Sequence, residues 1–121
     1  MSTPLLLCAA GLSLAWFLLH FLAGGRLVAR PLRDHPGLDH TVMATMWMCW
    51  HMVTALLLLM ALFFLAAVIW DNRGLAIAGT ACAAAFTLAG IAAAPVLGTR
   101  YKVIPQGWLF VPVAALGLLA L

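Results

Sequence analysis

The sequence lacks glutamate altogether and contains one lysine and three aspartates in 121 residues. Charged residues make up 7% of the chain, whereas hydrophobic residues make up 67%. A soluble domain of this size has too high a surface-to-volume ratio to bury that much apolar surface. The scarcity of charge therefore excludes a soluble globular domain and indicates a chain whose apolar surface faces lipid.

Four long stretches contain no Asp, Glu, Lys or Arg. An apolar run of about 20 residues has the length of a helix that spans a bilayer. The sequence therefore predicts an all-α fold, a four-helix transmembrane bundle that forms one integral membrane domain over residues 1–121. The predicted helices cover residues 4–23, 42–70, 75–97 and 103–121. Because the Gly24–Gly25 pair is a strong helix breaker, we expect the first helix to end there and residues 24–41 to form a loop.

All basic residues lie in the connections between these stretches. Three fall in the first connection and two in the third, whereas the second contains a single arginine. Cytoplasmic connections of membrane proteins carry the excess of Lys and Arg. We therefore predict an N-out/C-out orientation in a bacterial inner membrane, with the first and third connections in the cytoplasm. The arginines of the first connection are Arg26, Arg30 and Arg33.

No Asp, Glu, Lys or Arg lies inside a predicted helix. Proton-coupled transporters and ion pumps usually depend on an ionisable residue inside the membrane, so the pattern argues against proton-driven transport. Nucleic-acid binding needs a basic solvent-facing surface, which short connections do not supply. The sequence also shows no recognisable catalytic set, and this favours a protein that is not an enzyme.

Sulfur-containing residues are concentrated in the predicted helices. The three cysteines lie one in each of three helices, which indicates packing and not a disulfide framework. Residues 43–52, MATMWMCWHM, contain four methionines, a cysteine and a histidine. A Cu(I) site needs soft ligands that converge on one point, but helical spacing spreads these side chains around the helix. We therefore interpret the methionines and Cys49 as packing residues.

Two histidines, His20 and His51, fall near the predicted cytoplasmic ends of adjacent antiparallel helices. Two imidazoles at one depth can ligate haem iron axially, as haem b is held in membrane cytochromes. The same pair could contact a quinone or a lipid headgroup. The alternative is that each imidazole forms a structural hydrogen bond to a backbone carbonyl or to interfacial water.

Four of the five tryptophans fall toward the predicted cytoplasmic side. Tryptophan is enriched where helices cross the membrane interface, and this alone explains the distribution. A second hypothesis is an interfacial pocket for a flat ligand or a lipid. Its lining would be Trp16, Trp47, Trp50 and Trp108.

The first connection also contains two Asp-His pairs, Asp34–His35 and Asp39–His40. Side chains of this kind bind zinc or another divalent metal, and the proline-glycine turn between the pairs could bring them together. A solvated loop tip is the competing interpretation. Independently of a metal, the three arginines of this connection are expected to attract anionic lipid headgroups.

Small residues recur at three- and four-residue steps along one face of the third predicted helix. Such spacing lets helix backbones approach closely in lipid. We predict that this face is the central helix-packing surface and a means of association with another subunit. The residues are Gly79, Ala83, Thr87, Gly90 and Ala94.

Several short motifs resemble a group of short, uncharacterised four-helix bacterial inner-membrane proteins. In that group a histidine ends the first helix before an Arg-Leu…Arg-Pro-Leu segment, and a Trp-His pair opens the second helix. The group often has an acidic residue where this chain has Gly25, so that partner for His20 or the arginines is missing here. The resemblance implies a fold and a membrane location, and it implies no activity. The matching positions are His20, Arg26, Arg30, Pro31, Trp50, His51 and Thr54.

Three functions are compatible with these features. The leading one is a non-catalytic membrane protein, an accessory subunit or a lipid-associated structural element. Its partners would be membrane lipids together with a larger membrane complex or further copies of the chain. The second is a haem- or quinone-binding redox component that uses His20 and His51. The third is a passive carrier or channel for an uncharged molecule.

Overall fold

The computed structural model describes residues 1–121, which form helices joined by short connections, without strands. Helix α1 covers Thr3–Leu18 and continues without a break into a π-helical segment, Leu19–Ala29. The short helix α2, Arg30–Arg33, follows directly. Helices α3, α4 and α5 cover His40–Ile69, Arg73–Val96 and Gln106–Ala120. The predicted all-α fold is confirmed.

Three helical stretches are long and apolar enough to cross a membrane: Thr3–Arg33, His40–Ile69 and Arg73–Val96. Their outward positions carry large apolar side chains, among them Leu62 of α3 and Leu88 of α4. Helix α5 has 15 residues. It is therefore about 23 Å long at about 1.5 Å per residue, which is shorter than a hydrocarbon core of about 30 Å.

The first helix does not end at Gly24–Gly25, and residues 24–33 are helical instead of forming part of a loop. The N–H of Arg30 donates to the C=O of Gly25, five residues earlier, which is the hydrogen bond of a π-helix. In lipid an unpaired backbone group is costly, so a glycine pair that would break a helix in water remains hydrogen-bonded. Pro31 lies in α2, directly after the π-helical segment, and has no N–H to donate to a preceding carbonyl. The loop therefore shortens to residues 34–39.

The long helices pack in a ring. Helix α1 contacts α3 and α5, and α4 contacts the same two helices. At one end of the ring, the backbone N–H of Ser2 donates to the C=O of Ala120 at 2.8 Å, so the start of α1 and the end of α5 lie side by side. The side chains of Leu6, Phe64 and Val113 are buried between the helices.

Small residues set the distance between α4 and its neighbours. A Cβ atom built on Gly90 would lie 2.5 Å from the Cα of Gly107 in α5. A Cβ atom on Gly79 would lie 3.1 Å from the ring of Phe64 in α3. The small residues of this face therefore pack within the chain, against α3 and α5. Those that are buried or half-buried are Gly79, Ala83, Thr87, Gly90 and Ala94.

Buried hydroxyl groups are paired within their own helices. Ser13 donates to the C=O of Ala9 at 2.8 Å, and Thr80 donates to the C=O of Ala76 at 2.7 Å. Thr54 donates in the same way to the C=O of Trp50, at 2.9 Å. Because each hydroxyl bonds the carbonyl four residues earlier, a polar side chain is accommodated in the core without a partner from another helix.

Candidate functional site

Most residues singled out from the sequence lie at one end of the molecule. The hairpin end, as we call it, consists of residues 19–52: the π-helical segment, α2, the 34–39 loop and the first part of α3. The indole Nε1–H of Trp16 donates to the C=O of Leu109 at 2.9 Å, so the start of α5 lies level with Trp16. The residues that follow α1 therefore extend beyond the start of α5 as a projecting pair of helices.

His20 stacks face to face on Trp50 of α3, with ring centroids 4.0 Å apart and an interplanar angle of 16°. Gly24 makes room for the indole, because a Cβ atom at Gly24 would lie 2.9 Å from the Trp50 ring. The Nε2 atom of His20 is buried and has no hydrogen-bond partner. The residue of α3 that holds His20 is thus Trp50, the position directly before His51.

His51 is exposed and makes an edge contact with Trp47, with ring centroids 4.6 Å apart and an interplanar angle of 76°. Successive helical residues point about 100° apart because a turn has about 3.6 residues. His51 therefore faces away from the direction in which Trp50 meets His20. The two imidazoles pack on different indoles, and the arrangement does not pair them around one ligand.

Arg33 joins the end of the π-helical segment to α3. Its Cζ atom lies 5.5 Å from the centroid of the Trp47 ring, in a cation–π contact. Its Nε–H donates to Oδ1 of Asp34 at 2.8 Å, and this hydrogen bond lowers the pKa of Asp34 below its usual value. The side chains of Arg33 and Asp34 are 50% and 55% exposed, so the ion pair contributes little to stability.

The predicted metal site is not assembled. Asp39 caps α3, and its Oδ1 accepts from the N–H of Thr41 at 2.8 Å. Nδ1 of His35 accepts from the N–H of Gly37 at 3.1 Å. No three His, Cys, Asp or Glu side chains of the chain lie close enough together to hold a metal ion. Asp39 and His35 instead satisfy cap and turn hydrogen bonds locally, and Asp34 pairs with Arg33. The four predicted ligands are Asp34, His35, Asp39 and His40.

The tryptophans of the predicted interfacial pocket contact separate parts of the molecule. Trp16 bonds to α5, whereas Trp47 and Trp50 hold the hairpin end. Trp108 meets Tyr101 edge to face, with ring centroids 5.7 Å apart. Two open apolar grooves run along α3, one beside α1 and one beside the start of α4, and these four tryptophans line neither of them.

The sulfur-rich part of α3 faces outward. Met46, Met48 and Met52 are 47%, 55% and 56% exposed, and Cys49 is exposed as well. Their interpretation as packing residues is therefore wrong, and only Met43 of this group is half-buried. The inward arc of the helix is occupied by the two tryptophans, which leaves the thioethers on the outer surface. All three cysteines are free thiols.

No sequence pattern indicated that Tyr101 bonds the backbone of α4. Its hydroxyl donates to the C=O of Ile91 at 3.2 Å. Pro95 lies four residues after Ile91, inside α4, and has no N–H to give to that carbonyl. The tyrosine thus replaces the donor that the proline removes. Pro95 was the available signal, because a proline within a helix frees the carbonyl four residues earlier.

Tyr101→Phe is expected to lower the free energy of unfolding by about 1 kcal/mol, the net value of one hydrogen bond. In a Pro95→Ala background, the introduced alanine supplies the missing N–H, and we expect the same tyrosine change to cost almost nothing. Denaturant titration in mixed detergent micelles, followed by far-UV circular dichroism, measures the free energy of unfolding of the wild type, the two single variants and the double variant. An equal cost in both backgrounds would show that the hydroxyl does not substitute for the proline's missing donor.

No protein-family model, curated protein or solved structure matches this chain. The resemblance to short bacterial inner-membrane proteins therefore stays a prediction.

Proposed function

We propose that the chain is a non-catalytic, four-span protein of the bacterial inner membrane, an accessory subunit or a lipid-associated structural element. The observation that carries this proposal is the way the core is built. Helices α4 and α5 meet at backbone distance at Gly90 and Gly107, and the buried hydroxyls are bonded within their own helices. Such a core holds helices together. Membrane lipids are the first partners, with a larger membrane complex or further copies of the chain beside them.

Helix α5 is the fourth span in this proposal. It begins level with Trp16 and ends where Ala120 meets Ser2, so it runs along the other helices. A short apolar helix is accommodated by local thinning of the bilayer and by flanking aromatic residues, here Tyr101 and Trp108. Five of the six Lys and Arg residues lie at the end of the molecule opposite the termini, three in the π-helical segment and α2 and two in the connection between α4 and α5. This distribution supports the N-out/C-out orientation.

The same packing argues against a passive carrier or channel for an uncharged molecule. A pathway between α4 and α5 would require the backbones at Gly90 and Gly107 to separate, since a single added Cβ already meets the opposite helix. Packed helices of this kind do not deform gradually. The open grooves of the molecule lie on its outer surface, where lipid chains reach them.

A haem- or quinone-binding redox component is the second candidate, and one observation favours it. The Nε2 atom of His20 is buried without a partner, and buried polar groups in native proteins normally have one. A ligand atom would satisfy it. For an axial haem site, however, a second ligand must face His20, and His51 is exposed and packs on Trp47.

An absorption spectrum separates the non-catalytic function from a haem-binding redox component. The protein purified from its native membrane in mild detergent is expected to give a flat oxidised-minus-reduced spectrum. A Soret band would overturn the non-catalytic proposal in favour of a redox component. In that case His20→Ala should abolish the band, whereas His35→Ala, which changes an exposed histidine of the loop, is the matched control and should leave it intact.

A further inference from the structure

The π-helical segment sets which side chains of the hairpin end face inward. Gly24 packs on Trp50, and the next buried residue is Ala29, five positions later and 2% exposed. An α-helix would instead have turned residue 27 or 28 inward, at a step of three or four. Leu27 and Val28 are 76% and 51% exposed, so the wider π turn directs them outward.

The outward face of this segment combines charge and apolar surface. Arg26 and Arg30 are exposed and lie four residues apart, close to one turn of the π-helix. Leu22 and Leu27 are exposed beside them. No acidic residue occurs between residues 19 and 33. A basic face interleaved with large apolar side chains is the composition of helices that lie at a membrane interface.

The position along the helix agrees with this composition. Arg26 lies 23 residues after Thr3, about 32 Å along a helix at roughly 1.4 Å per residue for mixed α and π turns. A hydrocarbon core is about 30 Å thick. In the orientation proposed above, the arginines therefore reach the headgroup layer of the cytoplasmic leaflet, and Leu27 and Val28 lie at its boundary with the acyl chains.

We infer that the outward face of residues 22–30 binds the phosphate headgroups of anionic phospholipids. Arg26 and Arg30 provide two guanidinium groups for one phosphodiester, and guanidinium donors match phosphate oxygens in geometry. Leu27 and Val28 insert beside the headgroup. This inference rests on the proposed membrane placement, and it assigns Arg26 and Arg30 to lipid and not to a protein partner.

Tryptophan quenching by brominated lipids tests the inference on the full chain. The protein is reconstituted in phosphatidylcholine vesicles that contain phosphatidylglycerol, with bromine on one lipid or on the other. In a Trp70→Phe background, stronger quenching by brominated phosphatidylglycerol measures the preference for anionic lipid on the side of the hairpin end, where the other four tryptophans lie. At about fivefold per basic residue, Arg26→Gln and Arg30→Gln should each reduce the relative association constant about fivefold, and high salt should reduce it as well.

Arg73→Gln is the matched control, because it removes one positive charge at the opposite end of the molecule. It should leave the preference unchanged. Equal preferences in the wild type and in the Arg26→Gln/Arg30→Gln double variant would overturn the lipid site, as would an equal loss in Arg73→Gln. Extraction of the wild type from the vesicles by alkaline carbonate would instead overturn the membrane placement itself, so the two failures are distinguishable.

Discussion

Gly107→Ala is expected to lower the free energy of unfolding by about 2 kcal/mol, although it adds a single methyl group. The new Cβ would collide with the backbone of Gly90 and Ile91 in α4, and a backbone cannot rotate away as a side chain can. Overpacking of this kind costs about 3 kcal/mol or more at the upper end of its usual range. Because Gly107 lies in the first turn of α5, the higher helix propensity of alanine returns only part of the about 1 kcal/mol that it contributes in a helix interior.

Gly11→Ala provides the matched control for this prediction. Gly11 lies within α1, and nothing lies within 4 Å of a Cβ atom built there. This substitution should therefore be neutral or slightly stabilising. Both variants can be compared by denaturant titration in mixed micelles with far-UV circular dichroism. Equal stabilities for the two alanine variants would mean that α4 and α5 are not in backbone contact at Gly90.

The sequence predicted the packing face of α4, but it did not predict the residues of α5 that meet this face. Small residues at three- and four-residue steps identified the packing face of α4, since that spacing is a property of one helix. Gly107 and Gly117 of α5, which meet Gly90 and Thr80, form no such series. Their role depends on the register between two helices, which a single sequence does not contain.

The first helix shows where a local rule fails in a membrane chain. Gly24–Gly25 predicts a helix end in water, because water can take over the freed backbone hydrogen bonds. In lipid those bonds must be kept, and the chain keeps them as a π-helix over Leu19–Ala29. The sequence therefore indicated an irregularity at the correct residues but not its form. The exposed positions of Leu27 and Val28 follow from that form.

The candidate site was predictable to within one residue. The expectation that the first two helices are adjacent and antiparallel placed His20 beside the start of the second long helix, and His20 does contact α3 there. Its partner is Trp50 and not His51. One position on a helix changes the direction of a side chain by about 100°, and this angle separates a shared ligand site from two independent aromatic contacts. The Trp50 ring packs against Gly24, and this contact between two helices is not visible in the sequence of either one.

Phe64→Ala is expected to lower the free energy of unfolding by about 2 kcal/mol. Phe64 is fully buried in the ring of helices and packs against Gly79. In water the substitution typically costs about 3–5 kcal/mol, part of it for transfer of the ring from water. That part is absent in lipid, where acyl chains are as apolar as the core. The cavity remains, and about 100 Å³ at about 24 cal/mol per Å³ gives the stated cost. Phe21→Ala, at an exposed phenylalanine, should have little effect.

A size exchange with Gly79 tests whether the cost comes from the cavity. In the wild type, Gly79→Ala places a methyl group 3.1 Å from the Phe64 ring, tighter than ordinary contact, so it should destabilise the protein through crowding. In the Phe64→Ala variant the same methyl group enters vacant space and restores contacts across it. The double variant should therefore lose less free energy of unfolding than the sum of the two single losses. The difference should be about 0.5–3 kcal/mol, as for other coupled neighbours. Strict additivity would show that α3 and α4 relax into the space that the ring leaves, and that small residues set the helix spacing without help from the aromatic side chain.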